Sequence, residues 1–131
     1  MNAFDDIAIA PQSFAYRDLL GRDKWEAWTP TRTLWTDVGT PTISARYRVV
    51  GRQCFIQIYV DPTTSIATTA GSSYTDLPIA AKGLAGAGSM VNMTTNVAVG
   101  SCVVDVTNSR LYVPTLIASG NNFAIAAWYE V

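Results

Sequence analysis

The clearest pattern in the chain is an alternation of apolar and polar residues across positions 43–60. In the segment ISARYRVV, residues 43–50, one face carries Ile43, Ala45, Tyr47 and Val49, and the other carries Ser44, Arg46 and Arg48; residues 53–60 alternate in the same way. Gly51 and Arg52 lie between the two segments, and a glycine at the first of two loop positions is typical of a type II′ hairpin turn. The pattern predicts a tight antiparallel hairpin.

Four further strand-like segments follow in the second half of the chain. They are residues 90–99, 101–106, 110–117 and 122–131, separated by Gly100, by Asn108 with Ser109, and by residues 119–121. Short strands that repeat every 8 to 12 residues, with turn residues between them, are typical of a two-sheet fold. We therefore predict an all-β domain, an antiparallel β-sandwich or jelly roll.

The stretch between the hairpin and these segments has a different composition. Residues 63–89 are rich in Thr, Ser, Ala and Gly and poor in large apolar side chains. This composition predicts loops rather than core, with GLAGAGS at 83–89 as a flexible loop at the rim of the domain.

The last segment, NNFAIAAWYEV, is apolar on both faces. One face would carry Phe123, Ile125, Ala127 and Tyr129, and the other Ala124, Ala126 and Trp128. A strand with two apolar faces must be covered on both sides, within the domain or by another subunit. We predict that this strand is central in its sheet and lies near a symmetry axis, most simply that of a homotrimer.

The first 28 residues differ from the rest. They contain eight of the nineteen charged residues and no alternation. We predict two parts, an N-terminal arm or anchor segment at 1–28 and a β-sandwich domain at 29–131. Pro11 and Gly21 could bound a short helix over residues 12–20. An extended arm lying on a neighbouring subunit is an equal alternative.

Composition and charge narrow the classes of function. Charged residues make up 15% of the chain, hydrophobic residues 49%, and the net charge is −1. A low charge favours a surface partly covered by partners, and the lack of a basic stripe argues against nucleic acid as a partner. No apolar run has the length of a membrane span, and the first residues lack the features of a signal peptide, so we expect the product to stay in the cytoplasm of the cell that makes it.

The residues offer little catalytic chemistry. The chain has no histidine, which excludes serine and cysteine nucleophiles activated by imidazole. The aspartates lie beside turns or strand ends, where they normally cap the backbone. We predict that the protein is not an enzyme and holds no cofactor or metal. Cys54 and Cys102 lie in strand-like runs, and two buried reduced thiols are favoured over a disulfide between neighbouring strands.

Aromatic residues are the best candidates for contacts. Trp25, Trp28 and Trp35 precede the first good strand, and we favour a groove between subunits over sugar stacking for this cluster. The predicted oligomer interface consists of Trp28, Trp35, Phe123 and Trp128. Tyr74 and Asp76 lie in the polar segment SSYTD and form a candidate ligand loop, which would suit a carbohydrate-binding adhesin.

An ordered series of short motifs resembles tail-fibre, tail-spike and related virion proteins of tailed bacteriophages. The series is Trp28, Thr29, Pro30 and Thr31, then YRVVGR at 47–52, then Leu77 and Pro78 followed by Ile79, Ala80 and Ala81. The similarity covers about residues 25 to 131. Asp76 stands where a glycine often precedes the leucine in that family.

The resemblance implies a β-sandwich that forms trimers, assembles in the host cytoplasm and is displayed on the virion. No long shaft precedes the domain, so a short part fits better than a complete fibre: a fibre tip, a tail or baseplate adaptor, or a capsid-decoration or head-fibre protein. Partners would be copies of the chain, other virion proteins and a host-surface glycan. The N-terminal segment would anchor the protein to the particle, through Phe4, Phe14, Tyr16 and Leu19.

Overall fold

The computed structural model of the protein describes residues 24–84 and 86–131. Twelve β-strands lie within these residues, and the described chain is all-β, as predicted. The strands are β1 (Glu26–Trp28), β2 (Arg32–Thr33), β3 (Thr36–Val38), β4 (Thr42–Val50), β5 (Gln53–Asp61), β6 (Ser65–Thr68), β7 (Tyr74–Asp76), β8 (Gly86–Asn92), β9 (Val97–Asp105), β10 (Arg110–Tyr112), β11 (Leu116–Ser119) and β12 (Phe123–Glu130).

The strands form two antiparallel sheets. Nine of them make one large curled sheet in the order β1-β4-β5-β12-β8-β9-β10-β7-β2, and three make a small sheet in the order β11-β6-β3. Ile66 of β6 and Leu116 of β11 belong to the same buried cluster as the inner side chains of the large sheet. The two sheets therefore enclose one core, which is the β-sandwich arrangement that the strand spacing predicts.

The core is centred on the inner faces of β5 and β12. The register pairs these strands over their whole length, so that Ile58 lies opposite Ile125 and Cys54 opposite Tyr129. The buried side chains of the two strands are Cys54, Ile56, Ile58, Val60, Phe123, Ile125, Ala127 and Tyr129. Burying one large aliphatic or aromatic side chain contributes about 1.5–3 kcal/mol, so this layer dominates the stability of the fold.

The hairpin predicted at residues 43–60 is confirmed. β4 and β5 pair from Thr42 opposite Asp61 to Val50 opposite Gln53. Gly51, the first turn residue, has a positive φ of 63°, which a residue with a side chain adopts only with strain. The turn chemistry and the alternation agree, and together they fix the register of the hairpin.

The interpretation of residues 63–89 as loops outside the core is wrong for three parts of the stretch. β6, β7 and the first half of β8 lie within this stretch, and Ile66 and Leu77 are 0% and 8% exposed. Strands of three or four residues need only one or two apolar side chains to reach the core. The composition averaged over the whole stretch therefore does not reveal short strands that contain buried side chains.

The glycine-rich end of this stretch forms part of a central strand rather than a rim loop. β8 lies between β12 and β9, with Gly88 opposite Ala127 and opposite Cys102. A Cβ atom added at Gly88 would lie 2.7 Å from the Ala127 Cβ and 2.8 Å from the Ala126 carbonyl oxygen. Glycine is needed here because the neighbouring strand approaches closely, which is a recognised use of glycine inside a sheet.

Gly100 was expected to separate two strands, but it lies inside β9. The register between β8 and β9 shifts beside it, and a Cβ atom at Gly100 would lie 2.9 Å from the Pro114 Cβ. The reversal of the chain comes earlier, where the Asn92 Oδ1 accepts hydrogen bonds from the backbone N–H groups of Thr94 and Thr95. The glycine therefore marks an irregularity in the ladder rather than its end.

The large sheet begins inside the segment predicted as an arm. β1 pairs with β4, and Trp28 packs against the core. The described domain therefore starts a few residues before the predicted boundary at position 29. The helix predicted over 12–20 and the candidate anchor residues lie outside the described residues. Those anchor residues are Phe4, Phe14, Tyr16 and Leu19.

Candidate association surface

One face of the large sheet points away from the core and carries a continuous row of side chains. The register places cross-strand neighbours side by side along seven successive strands, from β4 to β7. We call this set the aromatic row; it consists of Arg48, Phe55, Trp128, Ala87, Val103, Tyr112 and Tyr74. With strands about 4.8 Å apart, the row is about 29 Å long.

The aromatic row is only partly covered within the chain. Val103 is 61% exposed, Ala87 is exposed, and the rings of Phe55, Trp128 and Tyr112 are half-buried against their neighbours. Single exposed apolar residues are ordinary on protein surfaces, whereas a contiguous strip of them marks a place where another molecule binds.

Small side chains form a flat floor beside Trp128. In the next row of the sheet, Ala126 lies opposite Ser89, and Ser89 lies opposite Ser101. Ser89 and Ala126, together with Phe55, Ala87 and Trp128, line an open depression of about 380 Å³. A floor without large side chains lets a partner's ring or backbone come close to the sheet.

Two arginines of β4, Arg46 and Arg48, lie at the β4 end of the row. The Arg48 guanidinium lies 4.9 Å from the centre of the Trp25 ring and 5.7 Å from that of Phe55. The Arg46 guanidinium lies 4.6 Å from the same tryptophan ring, and its Nε donates a hydrogen bond of 2.8 Å to Gln57 Oε1. Contacts of this kind contribute about 0.5–2 kcal/mol each and hold the guanidinium groups in place.

Neither arginine forms an ion pair with a carboxylate of the described residues. The ion pair observed within residues 24–84 and 86–131 joins Arg32 to Asp37, elsewhere in the fold, at 2.7 Å. The Arg48 Nε is buried and has no hydrogen-bond partner within residues 24–84 and 86–131. A buried donor without a partner costs about 1–3 kcal/mol, so this end of the row would gain from an anionic group.

The structure separates the four predicted interface residues. Phe123 is 1% exposed in the core, and its ring centre lies 6.2 Å from that of Trp35. Trp35 also donates from its Nε1 to the Tyr74 carbonyl oxygen at 3.1 Å, and Trp28 packs against the core. Trp128 is the member of the set that lies on the outer face. Trp28 and Trp35 thus help close the sandwich of their own chain.

The candidate ligand residues lie on a strand instead of a loop. Tyr74 and Asp76 begin and end β7, and Tyr74 joins the aromatic row. Its ring lies 5.3 Å from that of Tyr112, and the Arg110 guanidinium lies 4.3 Å from its centre. Asp76 Oδ1 accepts a hydrogen bond of 2.7 Å from the Thr31 backbone N–H, so this carboxylate holds the start of β2.

Sequence reasoning missed several members of the row. Phe55, Val103 and Tyr112 received no functional assignment, although each alternates with buried neighbours in its strand. The alternation shows that they face outward, but it does not show that they are adjacent. Their adjacency depends on the order of the strands, which brings β5 and β10 into one sheet.

The two cysteines are buried free thiols, as favoured from the sequence. Burial raises the pKa of the Cys54 thiol, while its hydrogen bond with Tyr129 acts in the opposite direction. Burial raises the pKa of Cys102 to about 12. Both groups are therefore neutral at physiological pH and behave as small core side chains.

We expect the Cys102 thiol to make stability fall at alkaline pH. The unfolded thiol loses its proton near pH 9.0 and the folded one near 12, so unfolding releases a proton between these values. The free energy of unfolding should decrease by up to about 1.4 kcal/mol per pH unit in that range. The free energies of unfolding of the wild type and of Cys102→Ala are measured in urea at several pH values. Their difference isolates the Cys102 thiol, because the other titrating groups contribute equally to both proteins. Equal slopes for the two proteins would contradict the prediction.

Within the described residues, no group of three or more His, Cys, Asp or Glu side chains is placed to hold a metal ion. No helix in that part of the chain is long and apolar enough to cross a membrane. Comparison of the chain with protein-family models, curated proteins and solved structures finds no match.

Proposed function

We propose that the chain is a non-enzymatic structural protein of a bacteriophage virion, of the tail-fibre, tail-adaptor or fibre-tip type, that works by association. Copies join through the aromatic row, and the N-terminal segment attaches the assembly to the particle. The observation that carries the proposal is the aromatic row, which is only partly covered within the chain, on a sheet whose other face packs on the buried core. The virion class rests on the sequence resemblance; capsid decoration is the alternative site on the particle.

The composition of the row suits a protein interface. Tyrosine, tryptophan and arginine dominate binding energy in such interfaces, especially near the centre and beside small residues. Trp128 lies near the middle of the row, between Phe55 and Ala87. At about 25 cal/mol per Å² of buried apolar area, an interface of about 800 Å² per partner supplies enough energy to offset the cost of association.

A closed cyclic assembly accounts best for a row that extends across the sheet. A contact between different parts of the row on neighbouring copies closes into a ring when the rotation fits, and three copies are the simplest ring that the family resemblance suggests. In such a ring the apolar rows face inward and the charged edges stay in water. This arrangement also explains a chain with only 15% charged residues.

Replacing Trp128 by glutamate tests the association. We expect the wild-type chain to have the native mass of an oligomer and Trp128→Glu to have that of a monomer, because a carboxylate in the middle of the row would be buried without a partner. Native mass spectrometry and sedimentation velocity measure the mass, and circular dichroism checks that the variant keeps its strands.

The matched control is Ile117→Glu. Ile117 is 84% exposed on β11 of the small sheet, away from the aromatic row. The same apolar-to-acid change there should leave the oligomer intact. A monomeric wild type, or an oligomer that survives Trp128→Glu, would refute association through this row.

A further inference from the structure

The two ends of the aromatic row differ in charge. On β4 the outward positions carry Arg46 and Arg48. On β9 and β7 the outward positions next to the row carry Asp105 and Asp76, because each lies two residues beyond a member of the row on its own strand. We call the first pair the arginine end and the second pair the aspartate end.

The positive charge of the arginine end is not balanced within the described residues. Neither guanidinium forms an ion pair there, and the Arg48 Nε has no hydrogen-bond partner. Glu26, on the adjacent strand β1, accepts a hydrogen bond of 2.8 Å from the hydroxyl of Tyr47, whose ring packs against the core. Contacts with the Trp25 ring hold both guanidinium groups in place. The arginine end is therefore a fixed positive charge on the outer face.

The aspartates keep their charge and have lone pairs left for a partner. Arg110 lies opposite both of them, but its guanidinium packs on the Tyr74 ring at 4.3 Å and forms no ion pair with a described carboxylate. The side-chain amide of Asn108 and the backbone N–H groups of Asn108 and Thr107 donate hydrogen bonds to Asp105, which hold the pKa of its carboxyl below the usual value. An ionised carboxylate accepts about four hydrogen bonds, so a guanidinium can still bind there.

The two ends cannot neutralise each other within one chain. Four strand spacings separate β4 from β9, which is about 19 Å along the sheet, and β7 lies two strands further. Charges at that separation are largely screened in physiological salt, where the Debye length is about 8 Å. A contact between two copies removes the separation.

Charge favours unlike ends in such a contact. Two arginine ends would bring four guanidinium groups together, and two aspartate ends would bring four carboxylates together; like charges across an interface oppose binding. An arginine end against an aspartate end forms charge-assisted hydrogen bonds instead, and these can supply the missing partner of the Arg48 Nε.

We propose that copies of the chain join head to tail, with the arginine end of one copy docked on the aspartate end of the next. The inference rests on the proposed function, because it specifies which parts of the aromatic row meet. A ring requires this polarity, since each copy presents a different surface to each of its two neighbours. The apolar side chains of the row supply most of the binding energy, and the charged ends fix the register.

A double-mutant cycle on assembly tests the contact. Arg46→Gln removes one charge of the arginine end. Asp105→Asn removes one charge of the aspartate end and keeps an oxygen that accepts the backbone hydrogen bonds. We expect each change to raise the chain concentration at half-assembly about ten-fold, and both together to raise it about ten-fold instead of a hundred-fold, because they remove the same contact. Sedimentation velocity over a range of chain concentrations measures all four proteins, and circular dichroism checks their strands.

The matched control is Asp61→Asn. Asp61 also ends a strand and accepts a backbone hydrogen bond, from Thr63 at 3.0 Å, but it lies on β5 outside the row. The same change there should leave the half-assembly concentration unchanged. The inference is overturned by additive effects of Arg46→Gln and Asp105→Asn, by no effect of either, or by an equal effect of Asp61→Asn.

Zero-length cross-linking identifies the ends that meet. Arg46→Lys introduces an amine that a carbodiimide can join to a carboxylate, and the protein is assembled from a mixture of isotopically light and heavy chains. A link from position 46 to Asp105 or Asp76 that joins the two isotope classes supports the inference. No such link, or links from position 46 to other carboxylates alone, would overturn it.

Failure of the inference can be told apart from failure of the proposed function. An assembly that dissociates in Trp128→Glu, but shows neither the coupling nor the cross-link, would support association through the row and overturn the head-to-tail contact. A wild-type chain that stays monomeric would refute the proposed function, and the head-to-tail contact with it.

Discussion

Replacement of Phe123 by alanine is expected to lower the free energy of unfolding by about 3–5 kcal/mol, the range for truncating a fully buried phenylalanine. Phe123 is 1% exposed, and its ring packs beside that of Trp35 between the two sheets. Truncation removes these contacts and leaves a cavity that rigid strands fill only in part. Urea unfolding at pH 7, followed by circular dichroism, measures the loss.

Trp128→Ala is the control, because it removes an even larger ring from the same strand but from the outer face. Trp128 is half-buried, so its loss should cost about 1–2 kcal/mol in the monomer. Both proteins are compared below the assembly concentration, since association would add to the apparent stability. If Trp128→Ala cost more than Phe123→Ala, the assignment of Phe123 to the core and Trp128 to the surface would be wrong.

Replacement of Gly88 by valine is expected to cost about 3 kcal/mol, the upper end of the usual range for overpacking. The first added carbon would already lie 2.7 Å from the Ala127 Cβ and 2.8 Å from a backbone oxygen of β12. A backbone oxygen in a paired strand cannot move aside without breaking the ladder between β8 and β12. Thermal and urea unfolding should show a lower midpoint, and hydrogen exchange should show loss of protection in β8.

Ser89→Val is the matched control for this substitution. Ser89 is the next residue of β8, but its side chain is exposed on the outer face, opposite Ala126. Valine is a good strand residue, so the change should alter stability by less than about 0.5 kcal/mol. Equal and small effects at the two positions would mean that this segment is a loop, as its composition first indicated.

The sequence identifies the outward-facing residues of the candidate surface one strand at a time. The alternation in β5, β9, β10 and β12 assigns an outward face to Phe55, Val103, Tyr112 and Trp128. It does not place them side by side, because pairing between strands distant in the chain leaves no local pattern. Burial of tryptophan is equally ambiguous, since a ring such as that of Trp35 can fill its own core or a neighbour's groove.

Local patterns were enough to predict the all-β class, the β4–β5 hairpin and the two faces of β12, because period-two alternation and turn chemistry act between neighbouring residues. Three features became clear only from the packing of the strands: Phe123 closes the core, the glycines of β8 lie in a central strand, and seven outward side chains form one row. These outcomes depend on which strands pair and how closely they approach, and both are set by the packing of the whole sheet.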